Sequence, residues 1–169
     1  MTPPHVEAVV EGGDWAALGD PQAVAELAAA AVFAELGVDG ACYEIAVLFA
    51  DDDAVAALNA RFRDRAQPTN VLSWPTFPLA PGPDGAPPPP PAAEPGGRPA
   101  ALGDIALAAG VVAREAQTRN LVLVDHATHL IMHGCLHLLG YDHGTERQAE
   151  LMEGIERRAL ARIGVADPC

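Results

Sequence analysis

Apolar and polar positions alternate over HVEAVVE (5–11), the pattern of a strand at a sheet edge. The period then lengthens. In DPQAVAELAAAAVFAELG (20–37) Val24, Leu27, Ala28, Ala31 and Leu36 form one apolar stripe of a helix. Asp20 stands where an N-cap belongs, Pro21 at the first helical position and Gly37 at the stop. CYEIAVLFA (42–50) has the β-branched and aromatic content of a strand. DDDAVAALNARFR (51–63) restarts as a helix, its acidic first turn suited to the positive end of the helix dipole. NVLSW (70–74) predicts a short strand that Pro75 ends.

Between Pro75 and Pro99 stand 11 of the 16 prolines, including APPPPPAAEPGG. A stretch so dense in proline and without apolar periodicity cannot pack a core. It is expected as a solvated, partly polyproline loop inserted at about 75–100, a tolerated insertion rather than a ligand for a proline-reading domain. Order resumes at ALGDIALAAG (101–110), a strand, followed by VVAREAQTR (111–119) as a helix. LVLVDHATHLIMHGCLHLLG (121–140) predicts a longer helix closed by Gly140. In ERQAELMEGIERRALARIG (146–164) Leu151, Met152, Ile155, Ala159 and Ile163 share one helical face. This order predicts the α/β (α+β) class, a small mixed sheet packed against several helices. The length predicts one domain over 1–169.

Composition narrows the classes further. Half the residues are hydrophobic and 20% are charged, which places the chain among globular rather than disordered sequences. No window reaches the roughly 18 apolar residues of a membrane span, and the acidic, proline-containing N-terminus is unlike a signal or transit peptide. A soluble, cytoplasmic protein with no membrane partner is expected. Cys42, Cys135 and Cys169 are too few and too scattered for a disulfide framework or a CxxC metal site. The net charge is −13 and all ten basic residues are arginine. That excludes nucleic-acid binding by bulk charge, since phosphate affinity comes from cation contacts and counterion release. A local arginine cluster could still hold a phosphate chain, and no DNA partner is expected.

Five of the six histidines fall between His126 and His143. His129, His133 and His137 are each four apart, so on a helix they share a face at about 6 Å along the axis. Gly140 can take the left-handed conformation that ends a helix, and His143 can then return toward His133 and His137. The pattern HxxxHxxGxxH has the ligand spacing of the HExxHxxGxxH zinc hydrolases, whose three histidines leave zinc an open fourth position. It predicts a zincin-like metal helix with His133, His137 and His143 as ligands. Imidazole donors suit zinc, and also nickel, copper and iron. The glutamate that serves those hydrolases as general base is replaced by Gly134. His129 either lines the site, orients a ligand, or is a buried hydrogen-bonded residue; His126 reads as structural and Cys135 as a core thiol.

LNARFRDRAQPTNVLSWP (58–75) sets Arg61, Arg63 and Arg65 where helix gives way to strand. These are either a solvated helix end favoured by the dipole or a phosphate-holding group. Together with GDIAL (103–107) and HLIMHGCLHLLGYDH (129–143), and more weakly LMEGIE (151–156), this stretch resembles the YbeY family of metal-dependent endoribonucleases. The proline-rich stretch is longer than the loop usual there, and Trp74 stands where the family usually has phenylalanine. The resemblance implies one Zn2+ per chain on His133, His137 and His143, and Arg63 as the essential arginine. It implies cleavage of single-stranded RNA in 16S ribosomal RNA 3′-end maturation and ribosome quality control, with the small ribosomal subunit and its assembly factors as partners. The nucleophile is then a metal-activated water or the 2′-hydroxyl of the RNA. Asp142 is a candidate proton acceptor, with a turn or ligand-orienting role as the rival. A positive strip of Arg61, Arg63, Arg65 and Arg98, extended by Arg114 and Arg119, is expected beside the site. Two other readings compete: a peptidase-like zinc hydrolase, opposed by Gly134, and a ribosome assembly factor with a structural or inactive zinc.

Overall fold

The structure, a computed structural model, describes residues 1–63, 69–77, 85–92 and 94–166, with the side chains of Phe62 and Arg63 outside that description. Its elements run β1 (His5–Val10), α1 (Pro21–Leu36), β2 (Tyr43–Ala50), α2 (Asp52–Arg63), β3 (Val71–Pro75), β4 (Ala100–Ala108), α3 (Ala109–Thr118), α4 (Leu123–Leu138) and α5 (Glu146–Arg162). The strands form one sheet in the order β1-β2-β4-β3. The first three in that order are parallel and β3 is antiparallel to β4, which makes the sheet mixed and the fold α/β. As its weak alternation predicts, β1 lies at an edge.

The strand β2 shows how the pattern builds the layers. Tyr43, Ile45, Val47 and Phe49 are buried on one face, with Glu44, Ala46 and Leu48 half-buried on the other. The first set meets α1, α4 and α5 in the main core, with Phe33, Ile131, Leu136 and Leu160. A smaller cluster of Ala50, Val55, Leu72 and Ala108 involves α2. The helix α4 is the centre of the main layer: Ile131, Met132, Leu136 and Leu138 have no exposed surface. Each such side chain stabilises the fold by roughly 2 kcal/mol over its exposed state. The histidines of α4 are therefore carried on a firmly packed helix. Arg158 and Arg162 of α5 reach Glu35 of α1 at 2.9 and 3.0 Å, tying the two outer helices together.

Three differences from the sequence reading have a tertiary reason. The strand β4 ends at Ala108 and α3 starts at Ala109, because Asp52 of α2 supplies the cap that the local sequence lacks: its Oδ1 accepts from the N–H groups of Gly110 and Val111. Pro75 stays in β3, on the outer edge of the sheet. The proline-rich segment is not solvated along its length. Pro88 and Pro91 are buried, and the Tyr43 hydroxyl donates to the carbonyl of Pro91. Among the described residues, no helix is long and apolar enough to cross a membrane.

Candidate metal centre

One face of α4 and the turn behind it bring the histidines together. The helix closes at Gly140, whose φ of 98° is left-handed; its N–H bonds the carbonyl of His137, and the N–H of Tyr141 bonds that of Leu136. This turn reverses the chain within three residues and returns His143. One ligand atom from each of His133, His137 and His143 lies within 4.8 Å of the others.

The two helical rings are held by their far nitrogens. His133 donates from Nδ1 to Oε2 of Glu156 at 3.0 Å, and His137 donates from Nδ1 to the backbone carbonyl of Tyr141 at 2.9 Å. A neutral imidazole has one donor and one acceptor nitrogen, so both Nε2 atoms are left as bare lone pairs. They face each other at 3.0 Å. Two lone pairs so close repel unless a proton or a cation lies between them, and tetrahedral zinc at its usual bond lengths sets two ligand nitrogens about 3.3 Å apart. Burial, and then the charge of neighbouring His133, hold His137 down at about 4, so its ring is an unprotonated donor at neutral pH. The donor set fits a metal ion.

Gly134 belongs to packing rather than to chemistry. A Cβ there would lie 2.9 Å from Cδ1 of Ile105 and 3.1 Å from its Cγ1 and Cγ2. The bare glycine lets α4 approach β4 closely, and the position offered to a glutamate in the zinc hydrolases is filled by the sheet.

His129 is not in the converging group: its Nε2 is engaged with Oε1 of Glu156 at 2.6 Å. His126 is buried and bonded through Nε2 to Glu115 at 2.9 Å, and Cys135 is fully buried; both are structural. The exposed Asp142 accepts from the backbone N–H of His143 at 2.8 Å, a contact that shapes the turn. The side chain of Arg63 and all of Arg65 lie outside the described residues. Arg114, expected to extend a positive strip, is ion-paired with Asp52 at 3.1 Å. Sequence reasoning missed two residues here. Glu156 ends the LMEGIE stretch, so its signal was present but without a partner to explain it. Arg157 lines a cleft of about 290 Å3 beside His133 and His143, with Leu130, Met152, Glu153 and Leu160.

The buried groups set the expected acid response of the metal-free protein. His137 titrates near 6.5 when free and is held at about 4 here, so the unfolded chain takes up that proton first. Stability therefore falls as the pH drops from about 6.5 to about 4. For Glu156 burial pulls upward, but hydrogen bonds from His129 and His133 prevail and hold it at about 2. Its stabilisation is present above 4.5 and is lost as the pH falls toward about 2. Urea midpoints of the chelator-treated protein should be level above neutrality and fall steadily in acid. A midpoint unchanged down to pH about 4 would contradict the burial of His137.

The sequence model of the family described as endoribonuclease YbeY matches residues 18–164. The chain is 46% identical to the endoribonuclease YbeY of Dinoroseobacter shibae, over 96% of this chain and 89% of the relative. The YbeY of Cereibacter sphaeroides is also 46% identical, over 98% of each, and that of Maricaulis maris 44%, over 96% and 90%. Among solved structures, the solution structure of TM1509 from Thermotoga maritima matches with a TM-score of 0.54, over 94% of this chain and 91% of that one. At 21% identity, that likeness is one of fold. The family match takes in every helix from α1 to α5 and the whole histidine turn: the chain belongs to the endoribonuclease YbeY family.

Proposed function

We propose that this protein is a zinc-dependent endoribonuclease of the cytoplasm, one catalytic domain that cuts single-stranded RNA during maturation of the small-subunit ribosomal RNA 3′ end and in ribosome quality control. The observation that carries the metal-dependent part is the facing pair of Nε2 lone pairs on His133 and His137, 3.0 Å apart and held there by donors on the opposite side of each ring. His133, His137 and His143 would hold one zinc ion per chain. When bound, zinc supplies a Lewis acid for a phosphoryl oxygen and a means of acidifying water.

The protein's own residues do the rest. The cleft between α4 and α5 has an apolar floor of Leu130, Met152 and Leu160, with Arg157 and Glu153 also in its lining. An apolar surface with an arginine in its lining is where an unstacked base of a single strand would pack. Arg63 would grip a non-bridging phosphate oxygen through its planar guanidinium and stabilise the charge that builds there. Asp142 would hold the turn that presents His143, and its exposed carboxylate is the candidate acceptor of the nucleophile's proton. The peptidase reading loses its support at Gly134, where Ile105 fills the place of the base. Partners on the small ribosomal subunit and its assembly factors belong to the same proposal.

The test is cleavage of one RNA sequence offered as a single strand and as a duplex, with metal-loaded and chelator-treated protein. Cutting confined to the single strand, lost on chelation and restored by zinc, is expected. Arg63→Ala should keep its metal and lose roughly a hundred- to a thousandfold in rate. Full cleavage by that variant would remove the arginine from the mechanism. Asp142→Asn separates its two roles, since a turn residue tolerates the amide and a proton acceptor does not.

A further inference from the structure

A carboxylate is rarely buried unless it is paired. The side chain of Glu156 is 7% exposed, and both of its oxygens are taken by histidines of α4: Oε1 by Nε2 of His129 at 2.6 Å, and Oε2 by Nδ1 of His133 at 3.0 Å. The two rings are one helical turn apart on the same face, so one carboxylate spans them. They are used differently. His133 turns its other nitrogen to His137, whereas the other nitrogen of His129, Nδ1, is buried without a hydrogen-bond partner among the described residues. A bare imidazole nitrogen is cheaper to bury than an orphaned N–H, so His129 carries its proton on Nε2 and spends it on Glu156.

We infer that His129, Glu156 and His133 form a positioning relay: Glu156 sets the tautomer and ring orientation of His133 for the metal, and His129 anchors Glu156. A carboxylate bound through one oxygen can swing about its terminal torsion; donors on both oxygens fix its plane, and with it the direction of the His133 Nδ1–H. The remaining nitrogen of His133 then points at the metal position before any ion arrives, and a carboxylate behind a ligating histidine also raises the basicity of the ligand. The relay has a second consequence. Glu156 lies on α5 among the cleft-lining residues Met152, Glu153, Arg157 and Leu160, so the same contact sets the register of the cleft wall against the metal centre. It makes His129, which by spacing alone could be a ligand, a support.

This inference rests on His133 being a metal ligand, and the test keeps the two failures apart. Wild-type protein, Glu156→Gln and His133→Ala are stripped of metal, checked for fold by circular dichroism, and titrated with zinc against a chromophoric chelator. Long-range 1H–15N spectra of the metal-free proteins report which nitrogen of each histidine carries the proton. Wild-type His133 should be protonated on Nδ1. In Glu156→Gln its Nε2–H tautomer should appear and zinc affinity should fall about 10- to 100-fold. Should Glu156→Gln not fold, Glu156→Asp is read in its place: one methylene shorter, it cannot span both rings and should show the same tautomer change with a weaker affinity. Zinc affinity within about twofold of wild type, with His133 still protonated on Nδ1, would overturn the relay. A wild-type protein that takes up no zinc, or a His133→Ala variant that binds it as tightly, would instead overturn the metal-centre reading beneath it.

Discussion

His137→Ala should leave a folded protein with little zinc and no RNA cleavage above background. Zinc sites of four ligands bind with roughly 10–16 kcal/mol, so one imidazole is worth about 3 kcal/mol, on the order of a hundredfold in affinity. The loss in rate is larger than the loss in affinity, because the remaining two histidines, His133 and His143, no longer fix an ion in one place. The fold should survive, since the His137 ring is only partly buried and its bond to the Tyr141 carbonyl is to a group the turn already positions. The variant should also be less sensitive to acid than the metal-free wild type, having lost a ring that resists protonation down to about 4. Metal content by mass spectrometry and cleavage rate, taken on the same batches, check this. One zinc per chain with wild-type cleavage would remove His137 from the centre.

Gly134→Glu, which would complete the HExxHxxGxxH pattern, should destroy the fold instead of creating a peptidase. A Cβ at this position already lies within 2.9 to 3.1 Å of three atoms of Ile105, a residue with no exposed surface. Overpacking of this kind costs about 1–3 kcal/mol. The carboxylate would then be buried without a partner, at about 3–5 kcal/mol more. Together these reach the lower half of the stability range of a typical domain, roughly 5–15 kcal/mol. Gly134→Ala is the graded control. It keeps the steric cost, gains nearly 1 kcal/mol of helix propensity, and should lower the urea midpoint without preventing folding. A Gly134→Glu protein with wild-type thermal stability that hydrolysed casein would show that the position faces the site after all.

The two variants also mark where sequence and structure part. A motif comparison treats Gly134 as a missing catalytic group. The packing of α4 on β4 makes it a requirement of the core, and under the proposed function the bound metal and Arg63 would carry the phosphodiester chemistry without a carboxylate from that position.

Period and punctuation were enough for the elements, because they act within a few residues of chain. The caps of α1 at Asp20 and Gly37, the alternation of β2, and the spacing of His133, His137 and Gly140 each specify their own local geometry, whereas Leu27, expected on the apolar stripe of α1, is exposed. The convergence of His133, His137 and His143 was legible for the same reason, since i, i+4 on a helix and a glycine turn are local facts. Glu156 was not legible. It lies 23 residues beyond His133, on another helix whose face is predictable but whose register against α4 is set by how Met152, Ile155 and Leu160 fill the core. The start of α3 was hidden likewise, its cap being supplied by Asp52 from 58 residues away. The sequence by itself determined which elements form and which histidines converge. Only the tertiary structure decided which nitrogen of each ring is engaged, that His129 meets Glu156 and stays out of the converging group, and why Gly134 must stay bare, since each of these depends on a group brought close by packing and not by chain connectivity.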